Sequence, residues 1–308
     1  LVFLVAGMLA GCRGSTEPGG VEAASRSLRM RVGGFSLHAT QVGPERGPVR
    51  LVVHGGPGLD QGYLRPWLDD LACDGARVVY VDLRGHGRSD PPPDASGYTL
   101  SAAAGDLATV ARGLDEGRPV TVIAHDFGAT VALELAAAHP ERVRRLLLID
   151  PLRDGAQLAA MGDRTRAVLG PAGQRAIAEL STPQGTLRDP RQLPALFRAL
   201  GPLWWASPPT PALVDRLARD VRYRAEADEH FLLQLQRWDG LAVARQVRAE
   251  TLVVSGAQDR TFTPEESRTI ADTVAHGRFV AIEGAGHLPF VERRAAFVAA
   301  VRPFLRER

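Results

Sequence analysis

From Ser27 onward the chain alternates two kinds of segment. Short aliphatic and β-branched runs, Val49 to Val53, Val78 to Val81, Val120 to Ile123, Val143 to Ile149, Thr251 to Val254 and Phe279 to Ile282, show the near-continuous apolar pattern of strands buried on both faces. Between them lie stretches rich in Ala and Leu, Leu100 to Leu114, Ala129 to Ala138, Glu265 to Val274 and Ala295 to Leu305, which suit helices. Ahead of both, Ser27 to Val32 and Phe35 to Gln41 flank Gly33-Gly34, a pair suited to the tight turn of an antiparallel hairpin. The order predicts a mainly parallel, eight-stranded sheet with helices on both faces.

One interval breaks the alternation. From Pro151 to Arg248 no comparable strand run occurs, while Ala, Leu, Arg and repeated prolines suggest short helices. So long a stretch is no plain loop, and an inserted helical cap over the C-terminal edge of the sheet is the economical expectation. Ligands of open α/β sheets bind at that edge. The N-terminus reads differently. Leu1 to Ala10 is apolar, too short to span a bilayer comfortably, and resembles a signal-peptide core. Leu9-Ala10-Gly11-Cys12 resembles the lipobox of bacterial lipoproteins, which implies cleavage before Cys12, lipidation of Cys12 and a membrane-anchored protein of the cell envelope. The organisation expected is a leader over 1–11, a lipidated cysteine and flexible tether over 12–26, a core over 27–150 and 249–308, and a cap over 151–248.

Composition narrows the possible partners. Among 308 residues, 37 basic and 35 acidic side chains nearly cancel and no Lys/Arg block forms a stripe, so nucleic acid is not an expected partner. Cys12 and Cys73 form no CxxC or Cys/His cluster, so no metal is expected. With Cys12 lipidated, Cys73 has no partner for a disulfide within the chain.

Chemistry concentrates where Thr121-Val122-Ile123 runs into Ala124-His125-Asp126-Phe127-Gly128 and then a helix. A sharp strand-to-helix turn needs small residues two before and two after the reactive side chain, and Ala124 and Gly128 supply them. The central residue is Asp126, at a helix N-terminus that favours its anion. Ala124 to Gly128 resembles the His-Asp-Trp/Phe-Gly elbow of α/β-hydrolase epoxide hydrolases and, less closely, of haloalkane dehalogenases. His54-Gly55-Gly56-Pro57 is similar to the His-Gly-x-Pro segment that supplies part of their oxyanion hole, and Asp82 to Ser89 to a turn recurring through the superfamily. The resemblance implies the α/β-hydrolase fold, with Asp126 as nucleophile, Asp259 as acid and His287 as base, in the chain order this fold requires. Asp150, after another strand, is the second candidate for the acid. Backbone N–H groups of Gly56 and Phe127 are expected to form the oxyanion hole.

A carboxylate of ordinary pKa, ~3.9, is already ionised at neutral pH and attacks without a base. Attack on an ester carbonyl would give an unstable anhydride; displacement at a saturated carbon gives an alkyl ester on Asp126. Epoxides and alkyl halides meet that requirement, with no cofactor. His287, oriented by Asp259, would then activate water against the ester. Phe127 stands where dehalogenases carry a halide-binding Trp, which favours an epoxide, although the cap holds a single tyrosine, Tyr223, where epoxide hydrolases usually place two. His54, Tyr223, Trp204 and Trp205 are candidate contacts for a small apolar substrate, and the indoles keep a haloalkane dehalogenase possible. His54 to Gly58 also resembles proline iminopeptidase-like hydrolases, whose elbow carries Ser; a non-catalytic envelope binding protein derived from such an enzyme is the alternative of another class.

Overall fold

The computed structural model describes residues 24–306. The expected leader, Cys12 and most of the tether lie outside the described residues. Eight strands form one sheet: β1 (Ser25–Val32), β2 (Phe35–Val42), β3 (Val49–Val53), β4 (Arg77–Val81), β5 (Val120–His125), β6 (Val143–Ile149), β7 (Glu250–Gly256) and β8 (Gly277–Ile282). Their order is β1-β2-β4-β3-β5-β6-β7-β8. β2 runs antiparallel to both neighbours, and the other pairings are parallel. Every residue of β3 and β5 is buried, as their unbroken apolar runs require. Ser25 pairs with Val42, and Val42 with Val78 near the start of β4. β1 therefore begins at the edge where the parallel strands start, opposite the edge where they end.

The core helices are α1 (Leu100–Leu114) and α2 (Phe127–Ala138), and after the cap α9 (Pro264–Thr273), α10 (Pro289–Glu292) and α11 (Arg294–Arg306). Local signals fix their starts. Thr99 caps α1 through Ala102 N–H, and Thr263 and Glu266 form a reciprocal capping box at α9 with Pro264 at its first position. The pleat divides the core into two layers. Leu51 and Val53 pack with Leu107, Phe127 and Ile270 on one face, while Val52 packs with Phe290, Phe297 and Phe304 on the other.

The strand-poor interval is helical: α3 (Gly155–Leu180), kinked at Gly170-Pro171, α4 (Leu193–Ala199), α5 (Gly201–Trp204), α6 (Pro211–Arg219), α7 (Ala225–Leu235) and α8 (Gly240–Ala244). Its one β feature among the described residues is an isolated bridge, Ser181 with Leu187. Phe197, Trp205 and Val214 join the core layer that contains Tyr63 and Val52. Phe231 from α7 joins the other. The fold is thus an α/β-hydrolase sheet with an inserted helical region. Among the described residues, no helix is long and apolar enough to cross a membrane.

Candidate active site

The turn between β5 and α2 pivots on Asp126, whose backbone sits at φ 54° and ψ −124°. A non-glycine residue at positive φ is strained by about 1–3 kcal/mol, and such strain collects at functional sites. The turn brings α2 against the end of β3. A side chain at Gly128 would meet the His54 carbonyl oxygen at 2.4 Å and that of Val53 at 2.7 Å, which is why glycine stands there.

Asp126 lies on the floor of a cavity of about 20 Å³, room for about one water. The Gly56 N–H donates to its Oδ2 at 2.8 Å. Burial pushes the Asp126 carboxyl up; His287 nearby and the N–H groups of Gly56 and Phe127 pull it back, and it settles at about 6. The residue is half-buried by exposure, yet its open side faces this small cavity rather than bulk water. The Phe127 ring does not line the cavity; it stacks on His86 and packs tilted against Phe231, at 5.8 and 5.1 Å between ring centres. At this position the backbone, not the side chain, addresses the site.

His287 follows β8 and Asp259 follows β7, both on loops at the sheet's C-terminal edge. His287 Nδ1 and Asp259 Oδ2 are 2.8 Å apart, and Asp259 Oδ1 accepts the N–H of Thr261 at 2.7 Å and of Phe262 at 3.3 Å. Burial opposes charge on the imidazole, but the Asp259 carboxylate outweighs it and the His287 pKa is raised. A ligand atom from each of His125, Asp126 and His287 falls within 4.8 Å of the others. Of the three, His125 has both ring nitrogens engaged. His125 Nε2 faces the His287 carbonyl oxygen at 2.9 Å, so it carries the proton, and Nδ1 accepts from the Tyr63 hydroxyl at 2.7 Å. Burial holds His125 well below the usual histidine range, hence neutral.

The remaining expected contacts separate. Trp204 lines the cavity with Leu59, Tyr63, Phe197, Leu217 and Leu288. Trp205 is buried and does not line the cavity, and its indole N–H has no hydrogen-bond partner among the described residues. His54 is fully buried and spends both ring nitrogens on backbone, accepting from Leu83 N–H at 3.1 Å and facing the Gly55 carbonyl at 2.8 Å. Tyr223 does not line the cavity: its hydroxyl donates to Asp228 and accepts the Leu187 N–H at 2.9 Å. Sequence reasoning missed Tyr63. Its hydroxyl accepts the Gly55 N–H at 2.7 Å and is the one hydroxyl among the cavity-lining residues. It arrives on a 3-10 turn, Gln61–Leu64, which no hydrophobic period announces.

Relatives agree with this geometry at the level of the fold. The chain is 33% identical over 123 residues to epoxide hydrolase 3 of Xenopus tropicalis, a match covering 40% of this chain but only a third of that relative's length. It is 30% identical to 2-hydroxymuconate semialdehyde hydrolase of Pseudomonas sp. strain CF600, over 83% of this chain and 86% of the relative. The structure of a proline iminopeptidase-related protein from Thermus thermophilus superposes with a TM-score of 0.72 at 28% identity, covering 92% of this chain and 97% of that one. Residues 48–294 match the alpha/beta hydrolase fold family, and the chain belongs to it.

Proposed function

We propose that this hydrolase opens small apolar epoxides through an alkyl-ester intermediate on Asp126. The observation that carries the reading is the Gly56 N–H on Asp126 Oδ2: the hole that most hydrolases of acyl groups reserve for a substrate oxygen is occupied by the enzyme's own carboxylate. Such an oxygen is held to become the oxyanion when the ester is hydrolysed, leaving Oδ1 to attack.

In the first step, Asp126 Oδ1 bonds to a ring carbon, the carbon–oxygen bond breaks, and the released oxygen takes the Tyr63 proton as that hydroxyl turns away from His125 Nδ1. Burial pushes Tyr63 well above the ordinary phenol range, so it enters the step protonated. In the second, His287 takes a proton from water and hydroxide adds to the Asp126 carboxyl carbon. Collapse returns the proton of His287 to the leaving diol oxygen, and the proton left on Asp126 passes through solvent to the tyrosinate. Gly56 and Phe127 N–H groups stabilise the intermediate, by about 3 kcal/mol each if they act as such donors usually do.

Haloalkane displacement is the second reading, favoured by Trp204 on the cavity wall. Both chemistries leave a carbon chain on Asp126, so one experiment tests them together. With a panel of epoxides and haloalkanes, His287→Ala should accumulate protein heavier by one adduct, mapped to Asp126, while Asp126→Ala stays unmodified. In single turnover in heavy-oxygen water, solvent isotope should enter the Asp126 carboxylate. Label found only in product, with no adduct in His287→Ala, sinks the covalent mechanism. The reading also keeps a lipid on Cys12 as its expected means of attachment to the cell envelope; radiolabelled palmitate incorporated equally by wild type and Cys12→Ser overturns that part alone.

A further inference from the structure

Glu292 closes α10, in the turn that follows His287. Its Oε1 accepts the Gly286 N–H at 2.7 Å and its Oε2 the Ala206 N–H at 2.8 Å, and the Leu288 N–H turns toward it as well. One carboxylate therefore gathers the residues on both sides of His287 and a residue of the cap. Gly286 and Ala206 lie in irregular segments, where no sheet or helix supplies an acceptor for a backbone N–H. A carboxylate has two acceptor oxygens and binds such donors more strongly than a neutral group does. The mechanism above uses His287 and leaves Glu292 without a task.

The same stretch of cap is bound along its length to the loops of the His–Asp pair. The Pro202 and Leu203 carbonyls accept from Arg260, next to Asp259, at 2.8 and 3.3 Å, and the Trp204 carbonyl accepts the His287 N–H at 2.6 Å. Gly286 makes the approach possible: a Cβ there would meet the Trp204 carbonyl oxygen at 2.2 Å. The other carboxylates around His287 belong to the core. Asp126 and Asp259 face the imidazole, and Asp150 approaches Asp259 from the end of β6, with a ligand atom from each of Asp150, Asp259 and His287 within 4.8 Å of the others. Their hydrogen bonds run to core residues, whereas Glu292 also bonds to the cap. The cavity of about 20 Å³ has room for about one water, so a substrate must displace a wall. Trp204 is such a wall, and its ring lies 6.0 Å from that of His287 between centres.

We propose that Glu292 is a positioning residue for His287: its carboxylate ties the histidine loop to residues 204–206, so that the Trp204 wall and the imidazole shift as one body and His287 stands in place for the second step only when the cap is closed over the bound chain. The first step needs Asp126, which is held by Gly56 and not by the cap. A loosened clamp therefore spares attack by Asp126 and slows release of the ester. The kinetic side of the inference rests on the function proposed above; the mechanical side, cap segment and histidine loop moving together, does not.

Two variants loosen the clamp in different ways. Glu292→Gln keeps the shape but has one acceptor oxygen, and turns its own N–H groups toward the donor left over. Gly286→Ala leaves Glu292 intact and drives a Cβ into the Trp204 carbonyl. Amide hydrogen exchange, read by mass spectrometry on wild type and both variants without substrate, should quicken by at least about tenfold over both 204–206 and 286–288 and stay unchanged over the Asp126 turn. Exchange that quickens in only one of the two segments, or in neither, overturns the proposal. Adduct formation and decay are then followed separately with an epoxide or haloalkane that labels His287→Ala. Formation should stay within about twofold of wild type while decay slows roughly 10- to 100-fold. Equal slowing of both steps, or wild-type decay in both variants, overturns the proposal. Should either variant not fold, the other decides alone. If no compound in the panel labels Asp126 even in His287→Ala, the function proposed above fails and the exchange result alone judges the clamp.

Discussion

The floor and the cap wall of the cavity are held by different forces. At the floor and just beneath it, backbone N–H groups fix the carboxylates: Gly56 holds Asp126, and Thr261 and Phe262 hold Asp259 behind His287. The cap wall, Phe197, Trp204 and Leu217, is held by apolar packing that specifies volume rather than atom positions. Floor substitutions should therefore change chemistry at nearly constant stability or even improve it, and cap substitutions should change substrate range and packing. Hydrogen bonds near His287 join the two parts. The Trp204 carbonyl accepts the His287 N–H at 2.6 Å, and Glu292 accepts from Gly286 at 2.7 Å and from Ala206 at 2.8 Å.

The largest effect expected on the floor is that of Asp126→Asn, which should lower single-turnover adduct formation by about 10⁴-fold or more. The same change should stabilise the fold. A carboxyl held at about 6, against 3.8 when unfolded, weakens the native state by up to about 3 kcal/mol once ionised. That deficit is absent below pH 3.8 and grows as pH rises to 6, so in urea titrations Asp126→Asn should outlast wild type at pH 8 and match it near pH 3. Equal midpoints at pH 8 would mean that Asp126 is not destabilised by its surroundings.

Next in size is Phe231→Ala, which removes the α7 ring packed against Phe127, His86 and Tyr98 and should cost about 3–5 kcal/mol in urea unfolding. A loss below about 1 kcal/mol would show that α7 is dispensable to the core. Tyr63→Phe should slow adduct formation from epoxides by roughly 10²- to 10³-fold and leave haloalkanes nearly untouched, because only the epoxide oxygen needs its proton. Equal slowing of both would assign Tyr63 to holding His125 and Gly55.

Smaller still is the acid limb of the pH profile. In wild-type single turnover the first step should fall about tenfold per pH unit below about 6, where Asp126 takes up a proton and loses its nucleophilicity. A limb near 4 would return Asp126 to ordinary carboxylate behaviour. Smallest is Tyr223→Phe, which removes the hydroxyl that ties Asp228 to the Leu187 N–H; a loss of about 1 kcal/mol in stability with an unchanged first step is expected. A large kinetic effect instead would restore Tyr223 to the chemistry.

What the sequence made legible was local. Aliphatic runs such as Val49–Val53 and Val120 to Ile123 cannot be anything but buried strands in this context, and the small residues around Asp126 mark a turn whose crowding is set by the next strand. The positions after β7 and β8 place Asp259 and His287 at one edge as soon as the sheet is parallel. Tyr63, the approach of Asp150 to Asp259 and the capture of Tyr223 by Asp228 were not legible. Each depends on side chains meeting in space in a way no local pattern announces: Tyr63 and His125 are 62 residues apart, and Ser255 and Asp150 are 105 apart. His54 was misweighed as a substrate contact for the same reason, since its nitrogen meets Leu83, 29 residues away.

β1 starts at Ser25, beside the first residues of the parallel strands, while Asp126, Asp259 and His287 occupy the other end of the sheet. Anything joined upstream of that strand, whether a lipid, a fusion partner or a solid support, therefore holds the molecule by its back. The face that carries Asp126, Asp259 and His287 then points away from the attachment, so immobilisation by this route would leave that end of the sheet uncovered.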